Sequence, residues 1–203
     1  MKRSLGPQTL VYPLPVYLVG SYAENDRPNI MTAAWGGICC SEPPCLAVSV
    51  RKSRLTYAAV QARKAFTISV PPARLTAEAD FAGLASGRDC DKFARLKLTP
   101  VRSELVDAPY VGECPLVLEL ALLHSLDLGS HVQFVGEIKD VKVEENCLDP
   151  AGKPDAAALD PLIYDGGGRQ YFRYGEIAGK AFSTGKAFLS EQEFTCAHFL
   201  RPS

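Results

Sequence analysis

The sequence lacks an excess of charge of either sign, and it has only three histidines and one tryptophan. Lys and Arg number 22 against 23 for Asp and Glu, which gives a formal net charge of −1. Because the protein has no excess of positive charge, it has no overall electrostatic attraction for a polyanion, and nucleic acid is not an expected partner. No apolar run approaches the roughly 20 residues of a membrane-spanning helix, and early prolines interrupt any signal-peptide core. We therefore expect a cytoplasmic protein with no membrane segment.

Regular cysteine spacing is also missing. The seven cysteines are odd in number and include no Cys-x-x-Cys pair, which argues against a disulfide framework. The histidines are too scattered to complete a metal site with these thiols, so we expect no bound metal. Cys39 and Cys40 are adjacent, and a thiol mechanism there is not favoured because neighbouring side chains on a strand point to opposite faces. Gly-x-Ser-x-Gly, Gly-x-x-x-x-Gly-Lys and Gly-x-Gly-x-x-Gly motifs are absent as well.

The composition predicts one globular domain over residues 1–203, with a core of about 8–186. Glycine and proline separate many short segments, which is typical of β-rich domains. We predict two or three short helices and about seven strands, the latter over residues 16–22, 29–35, 46–51, 65–70, 116–126, 131–143 and 171–177. Sequential hairpins without βαβ alternation favour a mainly β fold, an antiparallel barrel that is closed or nearly closed.

Prolines and N-cap residues predict where some of these elements begin. Pro43 and Pro44 lack N–H groups and should mark the start of the third strand, before which no pairing occurs. The first helix should cover residues 56–63 with Ser53 or Thr56 as its N-cap. The second should cover residues 76–85 with Thr76 as its N-cap.

The turn after the third strand is a candidate phosphate site. Residues 51–56 read Arg-Lys-Ser-Arg-Leu-Thr and place three cations and two hydroxyls at the start of a helix. A phosphate monoester requires such charge and such donors. The alternative is a solvated basic turn with a capped helix.

Residues 29–37, Asn-Ile-Met-Thr-Ala-Ala-Trp-Gly-Gly, form a strand that loses bulk toward its end. Small residues allow a flat ring to approach the backbone, whose polar groups can then recognise the edge of the ring. Trp35 would form a wall of that site. The alternative is a barrel strand that tapers at a corner, with Trp35 in the core.

The chain as a whole resembles the flavin reductase-like family of FMN-binding split barrels. The resemblance rests on the order of Asn-x-Met-Thr-Ala-Ala-Trp-Gly-Gly, Ser-Glu-Pro-Pro, Arg-Lys-x-x-x-Thr, Phe-Thr-Ile-Ser-Val, Ser-Gly-Arg-Asp-x-Asp-Lys-Phe and Gly-Ser-His-x-Gln-Phe. It implies a homodimer that holds FMN noncovalently. The phosphate would lie near Arg51, Lys52 and Thr56, and Lys92 would reach the phosphate or the ribityl chain. The ring would lie beside Asn29, Met31, Thr32, Ala33 and Trp35, with His131 close by. Ser49, Ser53 and Tyr164 complete the expected cofactor-binding set.

The resemblance implies a redox protein that transfers electrons through the flavin, without a catalytic side chain. It would be a flavoredoxin-like electron carrier or an NAD(P)H-dependent flavin reductase, with NAD(P)H or a redox protein such as a ferredoxin as donor. The alternative is a module that binds FMN for sensing or storage without turnover. Oxidation of pyridoxamine phosphate on the same barrel would need a second cationic cluster, which the sequence lacks.

Apolar residues occupy both faces of the segment 116–123, which independently suggests that a second chain covers the outer face. The alternative cover is the tail of the same chain, residues 186–202.

Overall fold

A computed structural model describes residues 1–188 of the chain. Within these residues there are twelve strands: β1 (Leu14–Pro15), β2 (Tyr17–Tyr22), β3 (Pro28–Ala33), β4 (Gly36–Ser41), β5 (Pro44–Arg51), β6 (Ala65–Val70), β7 (Pro100–Arg102), β8 (Pro109–Val111), β9 (Leu116–Asp127), β10 (His131–Val143), β11 (Ile163–Asp165) and β12 (Gln170–Phe172). The α-helices of the same region are α1 (Leu55–Arg63), α2 (Thr76–Leu84), α3 (Lys92–Leu96) and α4 (Ala156–Leu159).

The main sheet has seven strands in the order β3-β2-β6-β9-β10-β5-β4, and every neighbouring pair is antiparallel. Its edge strands, β3 and β4, are joined by only two residues, Ala34 and Trp35. Edges tied by so short a link must approach each other, which curls the sheet into a barrel. Within the described residues no ladder pairs β3 with β5. We call the gap between these two strands the seam. The expected mainly β, antiparallel split barrel with a few short helices is confirmed.

Two hydrophobic clusters fill the domain. The first lies inside the barrel and includes Val48, Phe66 and Phe134. The second includes Ile30 of β3, packed with residues of α2 and α3 on the other face of the sheet. Because β3 contributes side chains to both clusters, its position in the structure is fixed from two sides.

The long hairpin matches its prediction. Strand β10 has the predicted bounds, β9 extends one residue beyond them, and β6 agrees fully. The pair β2–β3 forms the predicted hairpin, although β3 ends at Ala33, two residues early. The last predicted strand is shorter than expected, because β12 ends at Phe172 and pairs with β11, which the pattern missed.

Strand β4 corrects the sequence interpretation of residues 36–45. The two glycines were expected to end a strand, but they begin β4, whose Gly36 pairs with Val48. Pro43 and Pro44 do not separate β5 from a preceding loop. Ser41 and Pro44 are the last paired residues of the β4–β5 hairpin, so its turn consists of Glu42 and Pro43.

The predicted helix caps are wrong. Helix α1 begins after Arg54, and no side chain accepts a hydrogen bond from its first turn. Helix α2 begins after Leu75, and Thr76 donates its hydroxyl to the carbonyl of Ala73 at 2.6 Å. In α1 the absence of a side-chain cap leaves the N-terminal N–H groups without a partner of that kind.

The outer face of β9 is partly covered by the chain itself. Val117 belongs to the cluster beside α2, so a second chain is not needed at that position, contrary to the expectation. Toward the hairpin turn the face is open, since Leu123 and Leu126 are 42% and 55% exposed. The other proposed cover, the tail, lies outside the described residues from position 189 onward.

Helices long and apolar enough to cross a bilayer are absent from residues 1–188. The same residues contain no cluster of three or more His, Cys, Asp or Glu side chains arranged to hold a metal ion.

Candidate functional site

Three adjoining cavities line the seam. The seam cavity has a volume of about 190 Å³ and is lined by Met31, Thr32, Ala33, Ala34, Trp35, Ser49, Arg51, Arg54 and His131. The inner pocket, about 10 Å³, shares Met31 and Arg54 with it and is also lined by Asn29, Leu55, Thr56, Ala85, Ser86, Gly87 and Lys92. The strap cavity, about 600 Å³, shares Trp35 and Ser49 with the seam cavity and is covered by residues 8–11.

The polar end of this system lies at the start of α1. Arg54 contributes to both the seam cavity and the inner pocket, and one of its guanidinium nitrogens donates to the carbonyl of Gly83 at 2.8 Å. The uncapped helix directs free N–H groups and the positive end of its dipole toward the same region. Neither cavity has a carboxylate among its lining residues. The charges that line these two cavities therefore suit an anionic ligand.

A buried hydrogen bond connects the two walls at this end. Asn29 Nδ2 donates to Thr56 Oγ1 at 3.0 Å, and both side chains are at most 3% exposed. Because Thr56 Oγ1 accepts this bond, its own hydroxyl proton remains available to a ligand. Gly87 allows the third wall to approach, since a Cβ there would lie 2.1 Å from Asn29 Oδ1.

Lys92 places a cation beneath this region. Its ammonium group is buried and donates to the carbonyls of Ile30 at 2.9 Å and Ala82 at 2.7 Å. Burial, and then the charge of Arg54, lower the pKa of Lys92 from 10.5 to about 8. An ammonium has three donors, so one remains beyond these two carbonyls. A bound anion would stabilise this charge.

The loop after α2 is braced against the start of α1. Arg88 Nη1 donates to the carbonyl of Ser53 at 2.6 Å, and the N–H of Arg88 donates to Ser86 Oγ at 3.2 Å. The loop therefore holds Ser86 and Gly87 against the inner pocket.

The aromatic end of the seam cavity consists of Trp35 and His131. Trp35 is 38% exposed, and its carbonyl accepts a hydrogen bond of 2.8 Å from the N–H of Ser49. Trp35 thus forms a cavity wall, and the alternative that placed it in the core is wrong. Partial burial, and then the charge of Arg51, lower the pKa of His131. The uncharged form of the imidazole is therefore favoured.

Strand β3 presents its unpaired edge to the seam cavity. The hydroxyl of Thr32 donates to the carbonyl of Ala79 in α2, so the helix fixes this side chain at the wall of the cavity. Backbone groups of β3 remain available on the edge that faces no strand. Of the two glycines that follow, Gly36 makes room for the carbonyl of Ala47, whereas Gly37 faces open space.

Most of the residues expected from the sequence are brought together here. The seam cavity contains Met31, Thr32, Ala33, Trp35, Ser49, Arg51 and His131, and the inner pocket contains Asn29, Thr56 and Lys92. Three others line neither. Lys52 forms an exposed ion pair with Asp127 at 2.7 Å, and Ser53 is exposed on the turn. Tyr164 pairs with Leu14 in the small sheet, and its ring lies 5.6 Å from that of Tyr171.

Six lining residues were not in the expected cofactor-binding set: Ala34, Arg54, Leu55, Ala85, Ser86 and Gly87. Two of them, Arg54 and Leu55, lie in the turn 51–56 that was a candidate phosphate site. Arg54 belongs to the basic turn, but its spacing alone does not distinguish it from Lys52. The start of the helix predicted from its periodicity could have identified Arg54, because the residue that precedes a helix without a side-chain cap lies beside the free N–H groups of that helix. Ala34 was missed as part of the link between the two edge strands.

Comparisons with known proteins agree on one family. A sequence model described as the flavin reductase like domain matches residues 9–173. The flavoredoxin of Desulfovibrio vulgaris (Miyazaki F) is 54% identical, with a TM-score of 0.88 over 92% of this chain and 100% of that one. An FMN-binding protein from Thermus thermophilus with bound 1-cyclohex-2-enone is 27% identical, with a TM-score of 0.74 over 89% of this chain and 98% of that one. A high molecular weight rubredoxin of Moorella thermoacetica is 35% identical over 138 residues, which are 66% of this chain and 57% of that protein.

Proposed function

The chain belongs to the flavin reductase-like family, and from that premise we propose that it is an FMN-dependent oxidoreductase that transfers electrons through a noncovalent flavin. The observation that carries this proposal is the charge of the seam. Arg51, Arg54 and Lys92 line two adjoining cavities that contain no carboxylate, beside a helix without a side-chain cap. Uncompensated positive charge at a helix start is stabilised by an anionic ligand.

The residues present fit the phosphate of FMN. A phosphate monoester carries about −1.5 to −2 charges near neutral pH and accepts several hydrogen bonds. The N–H groups of α1, the hydroxyl of Thr56 and the guanidinium of Arg54 supply such donors at the polar end. One terminal phosphate requires one such group of donors, so we propose that FMN binds in preference to FAD.

The wall of the seam cavity fits the flavin ring. The edge of β3 from Met31 to Ala33 has unpaired backbone groups, and Trp35 and His131 line the same cavity. FMN, when bound, supplies the capacity to accept and donate electrons. The residues of the chain would position it, hold positive charge at its phosphate and favour the uncharged form of His131 beside the ring.

The strap cavity supports a small-molecule donor. It adjoins the seam cavity at Trp35 and Ser49 and, at about 600 Å³, has room for a second planar ring. This favours NADH or NADPH as donor in a flavin reductase. The second form of the proposal is an electron carrier that is reduced by a ferredoxin-type protein. It is supported by the Moorella relative, whose name is that of a redox protein and which contains a segment similar to this chain.

A binding module without turnover is the other candidate. Anaerobic addition of NADH or NADPH to the FMN complex distinguishes it, with reduction followed at the flavin absorbance. Bleaching by either nucleotide identifies a reductase. Bleaching by a reduced ferredoxin alone identifies a carrier, and reduction by neither defeats the oxidoreductase proposal.

The identity of the cofactor is tested first. The purified protein should be yellow, and denaturation should release a flavin with the mass of FMN. Release of FAD, or Kd values that do not differ between FMN and FAD, would contradict the proposed preference.

We also propose a homodimer in the cytoplasm. The exposed leucines near the β9–β10 turn, among them Leu126 and Leu128, form an apolar surface that a second copy would cover. The cysteines of the described residues are free thiols, which fits a reducing compartment.

A further inference from the structure

The β4–β5 hairpin places two cysteines directly opposite each other. Cys40 and Cys45 are partners in the antiparallel ladder, one pair away from the end of the hairpin. Opposite residues in such a ladder have Cα atoms about 4.5 or 5.5 Å apart, and both separations lie within the range of disulfides. Their side chains also share one face of the sheet. The backbone is therefore ready for a bond between these two sulfurs.

The two thiols differ in accessibility. Cys40 is exposed, and its Sγ donates to the carbonyl of Glu42 at 3.3 Å. Cys45 is only 3% exposed. Burial, followed by the neighbouring thiols of Cys40 and Cys39, raises the pKa of Cys45. An oxidant in solution therefore meets Cys40 first, while Cys45 stays protonated beside it.

A third thiol, Cys39, lies near both partners but is paired with neither in the ladder. The ladder shifts register between Ile38 and Cys40, so Cys39 is the extra residue of a bulge and has no residue opposite. It lines the strap cavity instead.

We propose that Cys40 and Cys45 form a reversible thiol–disulfide site that hydroperoxides oxidise. In the first step the Cys40 sulfur attacks a peroxide oxygen, the O–O bond breaks, and a sulfenic acid and hydroxide result. In the second step the Cys45 sulfur attacks the sulfenic sulfur, the S–O bond breaks, and the hydroxyl leaves as water with the Cys45 proton. Protonation of the hydroxide balances the reaction: two thiols lose two electrons and two protons, and hydrogen peroxide becomes two waters.

The site is separate from the flavin cavities, because neither Cys40 nor Cys45 lines the seam cavity or the inner pocket. Its oxidation therefore does not depend on the proposed function. It cross-links the turn of the hairpin whose other end carries Trp35, and a thiol reductant restores it.

Differential alkylation tests the pairing. The reduced full-length protein is treated with one equivalent of hydrogen peroxide and then denatured, so that iodoacetamide blocks every free thiol, including buried Cys45. Disulfides are then reduced and labelled with heavy iodoacetamide. Fragment ions assign the label at each cysteine. We expect heavy label on Cys40 and Cys45, light label on Cys39 and Cys90, and loss of the heavy label when dithiothreitol precedes blocking.

Three variants complete the test. Cys40→Ser should abolish the heavy label at position 45, Cys39→Ser should leave both labels unchanged, and Cys45→Ser should leave a sulfenic acid at Cys40 that dimedone traps. Cys40→Ser replaces an exposed residue, so this test does not depend on the folding of the buried variant. The proposal would be overturned by heavy label on Cys39, by loss of the heavy label from Cys40 and Cys45 in Cys39→Ser, or by the absence of any disulfide.

Discussion

The ring of His131 lies 4.8 Å from the ring of Trp35, centroid to centroid, with the two planes tilted by 37°. This contact joins the start of β10 to the link between β3 and β4 across the seam cavity. The imidazole also has a polar neighbour, since His131 Nδ1 lies 2.8 Å from Ser130 Oγ. The single tryptophan therefore reports on the charge of the histidine beside it.

The fluorescence of Trp35 should change with the titration of His131. Partial burial and the charge of Arg51 lower the pKa of His131, so the midpoint in the flavin-free protein should lie below 6.5. Arg51→Ala removes one cause and should raise the midpoint. His131→Gln should abolish the transition, and a transition that persists in that variant would exclude His131 as its source.

Arg51→Ala should weaken FMN binding about tenfold to a hundredfold, because a charge-assisted hydrogen bond contributes about 1.5–3 kcal/mol. The matched control is Lys52→Ala. Lys52 pairs with Asp127 at the surface, and such pairs contribute little, so the Kd for FMN should not change. A titration followed by flavin fluorescence measures both. Equal losses in the two variants would mean that only general surface charge matters.

Gly87→Ala should destabilise the protein and weaken FMN binding. The added Cβ would lie 2.1 Å from Asn29 Oδ1 and 2.9 Å from Leu55 Cδ2, and such overpacking costs about 1–3 kcal/mol. Gly37→Ala is the control, because no atom lies within 4 Å of its Cβ position. Urea denaturation gives the free energy of unfolding of each variant. Wild-type stability and affinity in Gly87→Ala would show that the loop moves away freely.

Lys92 should make the stability of the flavin-free protein depend on pH. Its pKa is about 8 in the folded state against 10.5 for the unperturbed group, so between these values the unfolded state binds more protons. The free energy of unfolding contributed by this group should therefore rise from pH 8 to 10.5 and be constant below pH 8.

The measurement is the difference in unfolding free energy between the wild type and Lys92→Met at each pH, in which the contributions of other titrating groups cancel. Saturating FMN should flatten this difference, because its phosphate keeps the ammonium charged to higher pH. A flat difference without FMN would contradict the lowered pKa.

Sedimentation equilibrium at micromolar concentration should give the mass of two chains. Leu126→Lys should shift the mass toward one chain, because it puts charge into the surface that we propose is covered. Leu84→Lys serves as the control, since Leu84 is also an exposed leucine, at 75%, but belongs to α2 rather than to the β9–β10 hairpin. A wild-type mass of one chain, with FMN bound and activity intact, would defeat the dimer.

The barrel strands and much of the site could be predicted from the sequence, because both depend on contiguous segments. Strands β6, β9 and β10 show long apolar patterns, and the seam cavity draws on the segments 31–35 and 49–54. Strand β4 escaped prediction since an exposed edge strand has no buried face to impose an alternation. Its first glycine is needed for the close approach of β5, which only the paired strands reveal.

Lys92 illustrates the other limit. A lysine after a polar loop is typical of a surface residue, and its burial follows from the carbonyls of Ile30 and Ala82, which lie 62 and 10 positions away in the chain. The Asn29–Thr56 bond spans 27 positions in the same way. Such contacts exist only once the two walls of the seam are assembled.

The two ends of the seam are held by bonds of very different strength. At one end the walls are joined covalently through Ala34 and Trp35, and two residues extend the chain by at most about 7 Å. At the other end they are joined by the hydrogen bond from Asn29 to Thr56, and such a bond contributes about 1 kcal/mol net. We therefore expect any widening of the seam to begin at the Asn29 end, with Trp35 as the pivot. We expect the rate at which a ligand enters or leaves to be controlled at this end of the cavity, where the proposed phosphate would lie.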